Sequence, residues 1–435
     1  MVNQIQNLSK NSLSSLFVNV LNKVVEFVLY LVIAKYLGSV EFGKYIFIIS
    51  LIKFLGLPLV VGYPYFLLRQ ASYTNSQRSN EYGFLLSKNI YVLFIYLSFL
   101  ITSILLFKLF NKSFLPDIFS IFFLGTVITI PLLALNNSIS AIIRSSGGEI
   151  KGQILGNLLP NIKFLIFIFL SISVYKFDNF LICLFCFVIA SLSTLIFSLS
   201  QTKDLIFWAK FQIFHSMSQI INEIKKSISF VLIQIFVLAN NLYPIICLGF
   251  FQAPEIVGNY KLAVQISSIC GLFLHSINQI TQPRFAKSYS LNDYYQIQNI
   301  ALISNRLVSI CSLIVSAFVF LFYEKFISIF FGVDFFISKF TFLIILLSPL
   351  INSLFGSSAE IVIMSGNEKL TLRWAGISLF IGILSNILLV PFMGINGVAI
   401  STLLATFVRG ITLWKKCFVL LKVKSSFVLD QILKI

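Results

Sequence analysis

Continuous apolar runs of roughly 20 residues, each long enough to cross a ~30 Å hydrocarbon core, recur from one end of this chain to the other. "FLIFIFLSISV" and "TFLIILLSPL" are apolar without alternation, whereas the strands of a membrane barrel alternate apolar and polar residues. Of the 435 residues 58% are apolar and 11% charged, while a soluble domain is about a quarter charged. The chain is expected to be an all-α polytopic membrane protein.

Polar punctuation between the runs predicts twelve helices, near 12–37, 43–68, 84–110, 117–143, 153–175, 179–200, 226–251, 258–283, 300–322, 336–364, 370–391 and 395–421. Only Lys10 precedes the first run as a basic residue, and no small-residue cleavage site follows, so no removable signal peptide is expected. Lys and Arg in short loops set orientation. With both termini in the cytoplasm, most of the 32 Lys and Arg, and all seven arginines, are predicted to lie on the cytoplasmic side. The net charge of +17 then reflects topology and attraction to anionic membrane lipids, including the tail "KKCFVLLKVK", rather than nucleic acid.

The polar stretch Gln201–Lys226 divides the spans six and six. The expected organisation is an N-terminal lobe (1–200), a cytoplasmic connector (201–225), a C-terminal lobe (226–421) and a basic tail (422–435). At an offset of 215, Gly43, Tyr45, Gly56, Leu57, Leu59 and Arg69 fall on Gly258, Tyr260, Gly271, Leu272, Leu274 and Arg284, and "SGGE" (146–149) matches "SGNE" (365–368). Because six is even, both halves enter the membrane in the same sense, which predicts parallel repeats around a central cavity. The repeat also explains "GSVEFGKY", which mimics a nucleotide-binding loop. That motif needs Ser or Thr after the lysine and a strand before it. Tyr45 and a membrane helix stand there, and the partner "APEIVGNY" lacks the lysine.

No catalytic constellation emerges, so the chain is not expected to be an enzyme and no cofactor or metal is implied. The cysteines "CLFC" (183 and 186) sit in an apolar span without further ligands and are read as packing. Buried polarity does emerge. Asn19, Asn22, Lys23, Glu26 and Tyr30 share a face of the first span; Gln265, Ser268, His275, Gln279 and Gln282 share one of the eighth. Thr126, Thr129, Asn136, Ser140 and Arg144 recur along the fourth span, and Ser348, Asn352, Gly356 and Glu360 along the tenth. Most such groups bridge helices. Charges are costlier, roughly 2.5–3.5 kcal/mol each at mid-membrane on insertion scales. Lys23 and Glu26 can pair one turn apart. Lys53 and Lys163 have no acid one turn away; snorkelling suits Lys163 and not the more central Lys53. The repeat sets Lys53 opposite Ser268, which concentrates cationic character in the first half. A cationic interior without an ATPase suggests a secondary transporter for an anionic substrate.

"LVIAKYLGSVEFGKYIFI", "SGGEIKGQILGNLLPNI" and "FMGINGVAISTLLA" resemble the entries to helices two, five and twelve of bacterial polysaccharide flippases of the Wzx type. These belong to the multidrug/oligosaccharidyl-lipid/polysaccharide exporter superfamily. The resemblance implies two six-helix lobes working by alternating access in the bacterial inner membrane. The implied cargo is an undecaprenyl-diphosphate-linked oligosaccharide for O-antigen, capsule or exopolysaccharide, with the pathway's polymerase and chain-length regulator as partners. On this reading Lys23, Lys53, Asn19, Asn22, Gln265 and His275 meet the substrate, and Glu26 is a coupling carboxylate. Arg69, Arg284 and Arg144 stand at the cytoplasmic entry. The alternatives are a lipid-II flippase or a drug or ion antiporter of the same superfamily. A membrane glycosyltransferase or polymerase fits less well, since no long outer loop is predicted.

Overall fold

A computed structural model describes residues 2–73, 90, 92–102, 116–146, 148–174, 179–202, 217–423, 425 and 426. Among these, the regular structure is entirely helical. In chain order the helices are α1 (Val2–Leu57), α2 (Tyr63–Tyr73), α3 (Val92–Thr102), α4 (Pro116–Ser145) and α5 (Glu149–Gln153). There follow α6 (Leu159–Val174), α7 (Phe180–Ser200), α8 (Met217–Phe251), α9 (Pro254–Ser267) and α10 (Leu272–Ser290). The last five are α11 (Tyr294–Phe330), α12 (Lys339–Leu354), α13 (Ser358–Met364), α14 (Glu368–Met393) and α15 (Ile395–Leu421).

Nine of the described helical runs are long and apolar enough to cross a membrane, or ten when α12 and α13, bent by 45°, count as one. The first run, Phe17–Leu68, holds two of the predicted spans. α3 lies within the predicted third span, whose remaining residues, position 90 apart, are outside the described ones. α8 starts at Met217, so helix begins inside the stretch expected to be a connector. The chain falls into two compact units: Met1–Leu29 with Ile48–Ile235, and Tyr30–Phe47 with Phe236–Ile435.

The turn that mimics a nucleotide loop is a kink in α1. Gly38 has φ 73° and ψ 173°, a conformation open only to glycine. Lys44, the mimic's lysine, is held by Glu41 at 2.6 Å. Gly43 is needed for space: a Cβ there would overlap the Pro254 carbonyl at the start of α9, while one on Gly258 would touch Phe42 and the Ser39 carbonyl. Of the repeat-equivalent positions, Tyr45 and Tyr260 are both buried, as are Leu59 and Leu274, whereas Leu57 is buried and Leu272 half-buried.

Irregular helix recurs in both units, and neighbouring side chains satisfy what it frees. Without water in the hydrocarbon, each freed carbonyl needs an internal donor. π-helical turns occupy Pro58–Gly62 and Ile154–Leu158. Adjacent asparagines of α4 serve both: Asn137 Nδ2 donates to the Val60 carbonyl at 2.8 Å and Asn136 Nδ2 to Leu155 at 3.1 Å. Asn136 also accepts from Ser198 Oγ at 2.7 Å, tying α4 to α7. In the second unit, Ser312 Oγ reaches the Cys270 carbonyl of the 3-10 turn Ser268–Gly271 at 3.1 Å. The bend between α12 and α13 turns on Gly356, at φ 63°, where a Cβ would overlap the Asn305 carboxamide. Asn305 Oδ1 accepts from Ser357 N at 3.1 Å, and its Nδ2 donates to the Ser425 carbonyl. Val423, Ser425 and Ser426 are buried, so the expected basic tail opens as a strap locked into the second unit.

Two expectations for single residues change. Lys163 Nζ does not reach for an interface: it donates to the Ser193 carbonyl of α7 at 2.7 Å, its head 5.2 Å from the Phe197 ring. Arg409, assigned to the cytoplasmic side with the other arginines, lies near the middle of α15, half-buried and within electrostatic reach of Glu360 and Tyr243. A loop-counting rule places charges at helix ends and does not see one within a helix.

Replacing Asn136 by Leu strands the Leu155 carbonyl and the Ser198 hydroxyl together, and is expected to cost on the order of 1–3 kcal/mol for the stranded groups. Thermal unfolding of the detergent-purified protein measures this, and an unchanged midpoint would contradict the role. Lys163→Met keeps the stem and loses one hydrogen bond, so a smaller loss of about 1 kcal/mol is expected. The same measurement checks it, and a loss as large as that of Asn136→Leu would show that Lys163 does more than join α6 to α7.

Candidate functional site

The polar face of α1 is set by what lies opposite it. Phe17, Val20, Leu21, Val24 and Val28 are exposed apolar residues at helical spacing and form the lipid side. Asn19, Asn22, Lys23 and Glu26 occupy the other side. Lys23 Nζ and Glu26 Oε2 are 2.8 Å apart, which lets two charges share one membrane helix. Asn22 Oδ1 accepts from Asn161 Nδ2 of α6 at 2.9 Å, and Ser15 Oγ accepts from Gln153 Nε2 of α5 at 2.7 Å. Asn19 is half-buried on the same side.

Lys53 comes to this face from the far end of α1, past the kink. It is half-buried, 5.8 Å from the centre of the Phe187 ring, and within electrostatic reach of both Glu26 and Lys23. Within the first unit, then, two ammonium groups and one carboxylate meet beside a set of amides, and the cations outnumber the acid. An anion that entered could displace Glu26 from Lys23. Phosphate-bearing groups suit such a site, because an ammonium offers several rotatable donors to several oxygens.

Gln153, Asn157 and Asn161 recur every four residues along the fifth span, and Asn157 is exposed. Sequence reading did not assign them to the site, although amides at that spacing mark one helix face. The exposed apolar residues of this span, Ile166, Phe169, Leu170 and Val174, all lie in its other half.

In the second unit, Gln265 is buried in α9 and His275 is exposed on α10, with Nε2 3.2 Å from the Gln279 amide nitrogen. Gln282 Nε2 donates to Glu360 Oε2 at 2.7 Å, and Arg409 stands in electrostatic reach of that carboxylate. Tyr243 and Tyr260 are buried nearby, Tyr260 Oη lying 3.4 Å from Thr402 Oγ1. The Gln282–Glu360 bridge joins residues 78 apart, beyond any periodicity.

Of the expected entry residues, Arg284 is exposed near the end of α10. Arg144 lies half-buried in the last turn of α4, its stem against Gly152, where a Cβ would overlap it. The side chain of Arg69 lies outside the described residues. Thr126 and Thr129 donate to carbonyls of their own helix and take no part in the site.

The fold is similar to those of solved membrane transporters. An inward-facing multidrug resistance MATE family transporter of the MOP superfamily superposes with TM-score 0.69 at 12% identity, over 91% of this chain and 94% of that one. The lipid II flippase MurJ, in an inward closed conformation, superposes with TM-score 0.71 at 16% identity, over 92% and 86%. By sequence, a probable low-salt glycan biosynthesis flippase, Agl15 of Haloferax volcanii, is 26% identical over 163 residues, 36% of this chain. That alignment spans about a third, 34%, of the relative's length. Residues 8–289, more than half of the 435, match the family described as "Polysaccharide biosynthesis protein". With the fold of MOP superfamily transporters, the chain belongs to the polysaccharide biosynthesis protein family.

Proposed function

We propose that this protein flips undecaprenyl-diphosphate-linked oligosaccharide repeat units from the inner to the outer leaflet of the bacterial inner membrane. The units would feed O-antigen, capsule or exopolysaccharide assembly, with the polymerase and chain-length regulator of that pathway as partners. The observation that carries this reading is the cationic cluster of Lys53, Lys23 and Glu26 on membrane-spanning helix, in a chain of a polysaccharide biosynthesis family. The name of the archaeal relative, a glycan biosynthesis flippase, supports the same class of cargo. The lipid tail stays in the bilayer, and only the head needs a wet, positive path. Alternating access by two lobes, with cytoplasmic termini, completes the proposal. Arg284 and Arg144, with Arg69, are proposed for the entry, although the packing of Arg144 on Gly152 favours a structural part for it.

Lys53→Ala is expected to abolish surface polysaccharide in a complementation assay at unchanged protein level, and Lys53→Arg to retain part of it. Full polymer from the alanine variant would remove Lys53 from the site. Glu26 is proposed as the coupling carboxylate, because the same oxygen atoms can hold a proton or Lys23. In proteoliposomes with an imposed pH gradient, wild-type transport should respond to the gradient and Glu26→Gln should not. Equal responses from the two proteins would reduce the pair to a structural bridge.

A further inference from the structure

α1 and the fifth span meet along a polar seam that lies wholly inside the first unit. Ser15 Oγ accepts from Gln153 Nε2 at 2.7 Å, and Asn22 Oδ1 accepts from Asn161 Nδ2 at 2.9 Å. Residue numbers rise together in the two pairs, so these helices run parallel. Between the two contacts lies the π turn Ile154–Leu158. In a regular α-helix eight residues overshoot two turns by about 80°, which would carry Asn161 out of line with Gln153. A π turn, whose hydrogen bonds reach one residue further, winds more slowly and takes much of that rotation back. The turn therefore aligns the two amides on α1, and turns of this kind recur at functional sites.

Asn157 sits inside the turn. It is exposed, and it has no hydrogen-bond partner among the described residues. Its exposure is not to lipid. The exposed apolar residues Ile166, Phe169, Leu170 and Val174 fall, at about 100° per residue, on the side of the helix opposite Asn161 and Asn157. Beyond Asn161 the Asn157 side is closed by Phe164 and Ile168, both buried. On α1, Asn19, Glu26 and Lys23 are all rotated in one sense from the line through Ser15 and Asn22. The slow winding of the π turn rotates Asn157 slightly in the opposite sense from the line through Gln153 and Asn161. Between parallel helices that face each other, these rotations turn Asn157 and Lys23 to the same flank of the seam. The Lys23 side chain is 44% exposed there. Asn157 stands about 6 Å of helix rise from Asn161, one turn from the contact that Asn22 makes beside Lys23.

The two open groups differ in chemistry. An ammonium offers donors only and suits phosphate oxygens, whereas a carboxamide offers two donors and an acceptor and matches hydroxyl or acetamido groups. Ile154 and Pro160, half-buried, flank Asn157, and a wall of apolar surface with a few placed polar groups suits a sugar ring. We infer that Asn157 is a specificity residue of the first unit's site, its carboxamide meeting the sugar that adjoins the diphosphate while Lys23 meets the phosphates. This rests on the flippase reading and adds to it a residue that senses the sugar.

The test uses full-length protein in nanodiscs. Asn157→Cys should react with a charged, membrane-impermeant thiol reagent, whereas Leu170→Cys, on the lipid side, should not; wild type gives the background of the native cysteines. Binding is then measured with undecaprenyl diphosphate and with the same lipid bearing its repeat unit, extracted from polymerase-deficient cells of the source organism. Asn157→Leu should bind the bare lipid as wild type does and the sugar-bearing lipid about tenfold more weakly, the cost of one stranded hydrogen-bonding group. Asn157→Gln should keep part of the difference, and Lys23→Ala should weaken both probes. Thermal unfolding confirms that each variant folds as wild type does. An unreactive Asn157→Cys, full affinity of Asn157→Leu for the sugar-bearing lipid, or equal weakening of both probes by Asn157→Leu overturns the assignment. So does a wild type that binds the two probes with one affinity. A wild type that binds neither lipid overturns the flippase reading itself, and the role of Asn157 with it.

Discussion

In a bilayer the backbone must satisfy itself, and the architecture of this protein follows from how it does so where helices break. A regular helix leaves no interior amide or carbonyl unpaired, but a π turn, a 3-10 turn or a bend does, and the cost in hydrocarbon is several kcal/mol per stranded group. Asn136 and Asn137 sit side by side on α4 and supply donors to two different π turns. In the second unit Ser312 supplies a donor to the 3-10 turn, and Asn305 an acceptor to the Ser357 amide at the bend. These side chains fix which helices may touch, and in what register. They also explain why so many polar residues in the spans are absent from the substrate-facing sets: their hydrogen bonds are already committed to backbone.

Many polar groups of the described spans are committed in this way. Lys163 is spent on the Ser193 carbonyl. Thr126, Thr129 and Ser138 bond back to their own helix. In the first unit this leaves two lysines around one carboxylate, with amides from the fifth span. In the second, Gln282 holds Glu360, and His275 lies against Gln279.

How much of this the sequence discloses depends on the range of the interaction. Span positions, the Gly38 kink, the polar face of α1 and that of α9 and α10 are local patterns, readable from apolar runs and helical spacing. The nucleotide-loop mimic could be dismissed because the residues that follow it are local too. Contacts across 139 residues, such as Asn22 with Asn161, leave no periodic trace. Asn161 itself is legible, since Gln153, Asn157 and Asn161 repeat every four residues and mark one helix face. Arg409 lies inside α15, and orientation rules, which describe loops statistically, do not place such a residue. Basic residues made the end of the chain look like a solvated tail, and nothing local in them announces that Ser425 would be captured by Asn305.

If the proposed flippase couples its cargo to Glu26, the α1 charges decide the direction of that linkage. With Lys23 and Lys53 both near Glu26, a diphosphate that takes the lysines leaves Glu26 as a surplus negative charge beside it. A proton on Glu26 removes that repulsion, so cargo and proton favour each other's binding, and linkage makes the preference reciprocal. A carrier that binds both together moves them the same way, so export of the glycolipid would carry protons outward. An inward-directed proton gradient would then oppose export, and an alkaline exterior would assist it. Under the usual gradient the work must come from elsewhere, and removal of the flipped unit by polymerisation is the available sink. On this argument Glu26 serves release: outside, losing its proton, it reclaims Lys23 and drives the diphosphate off.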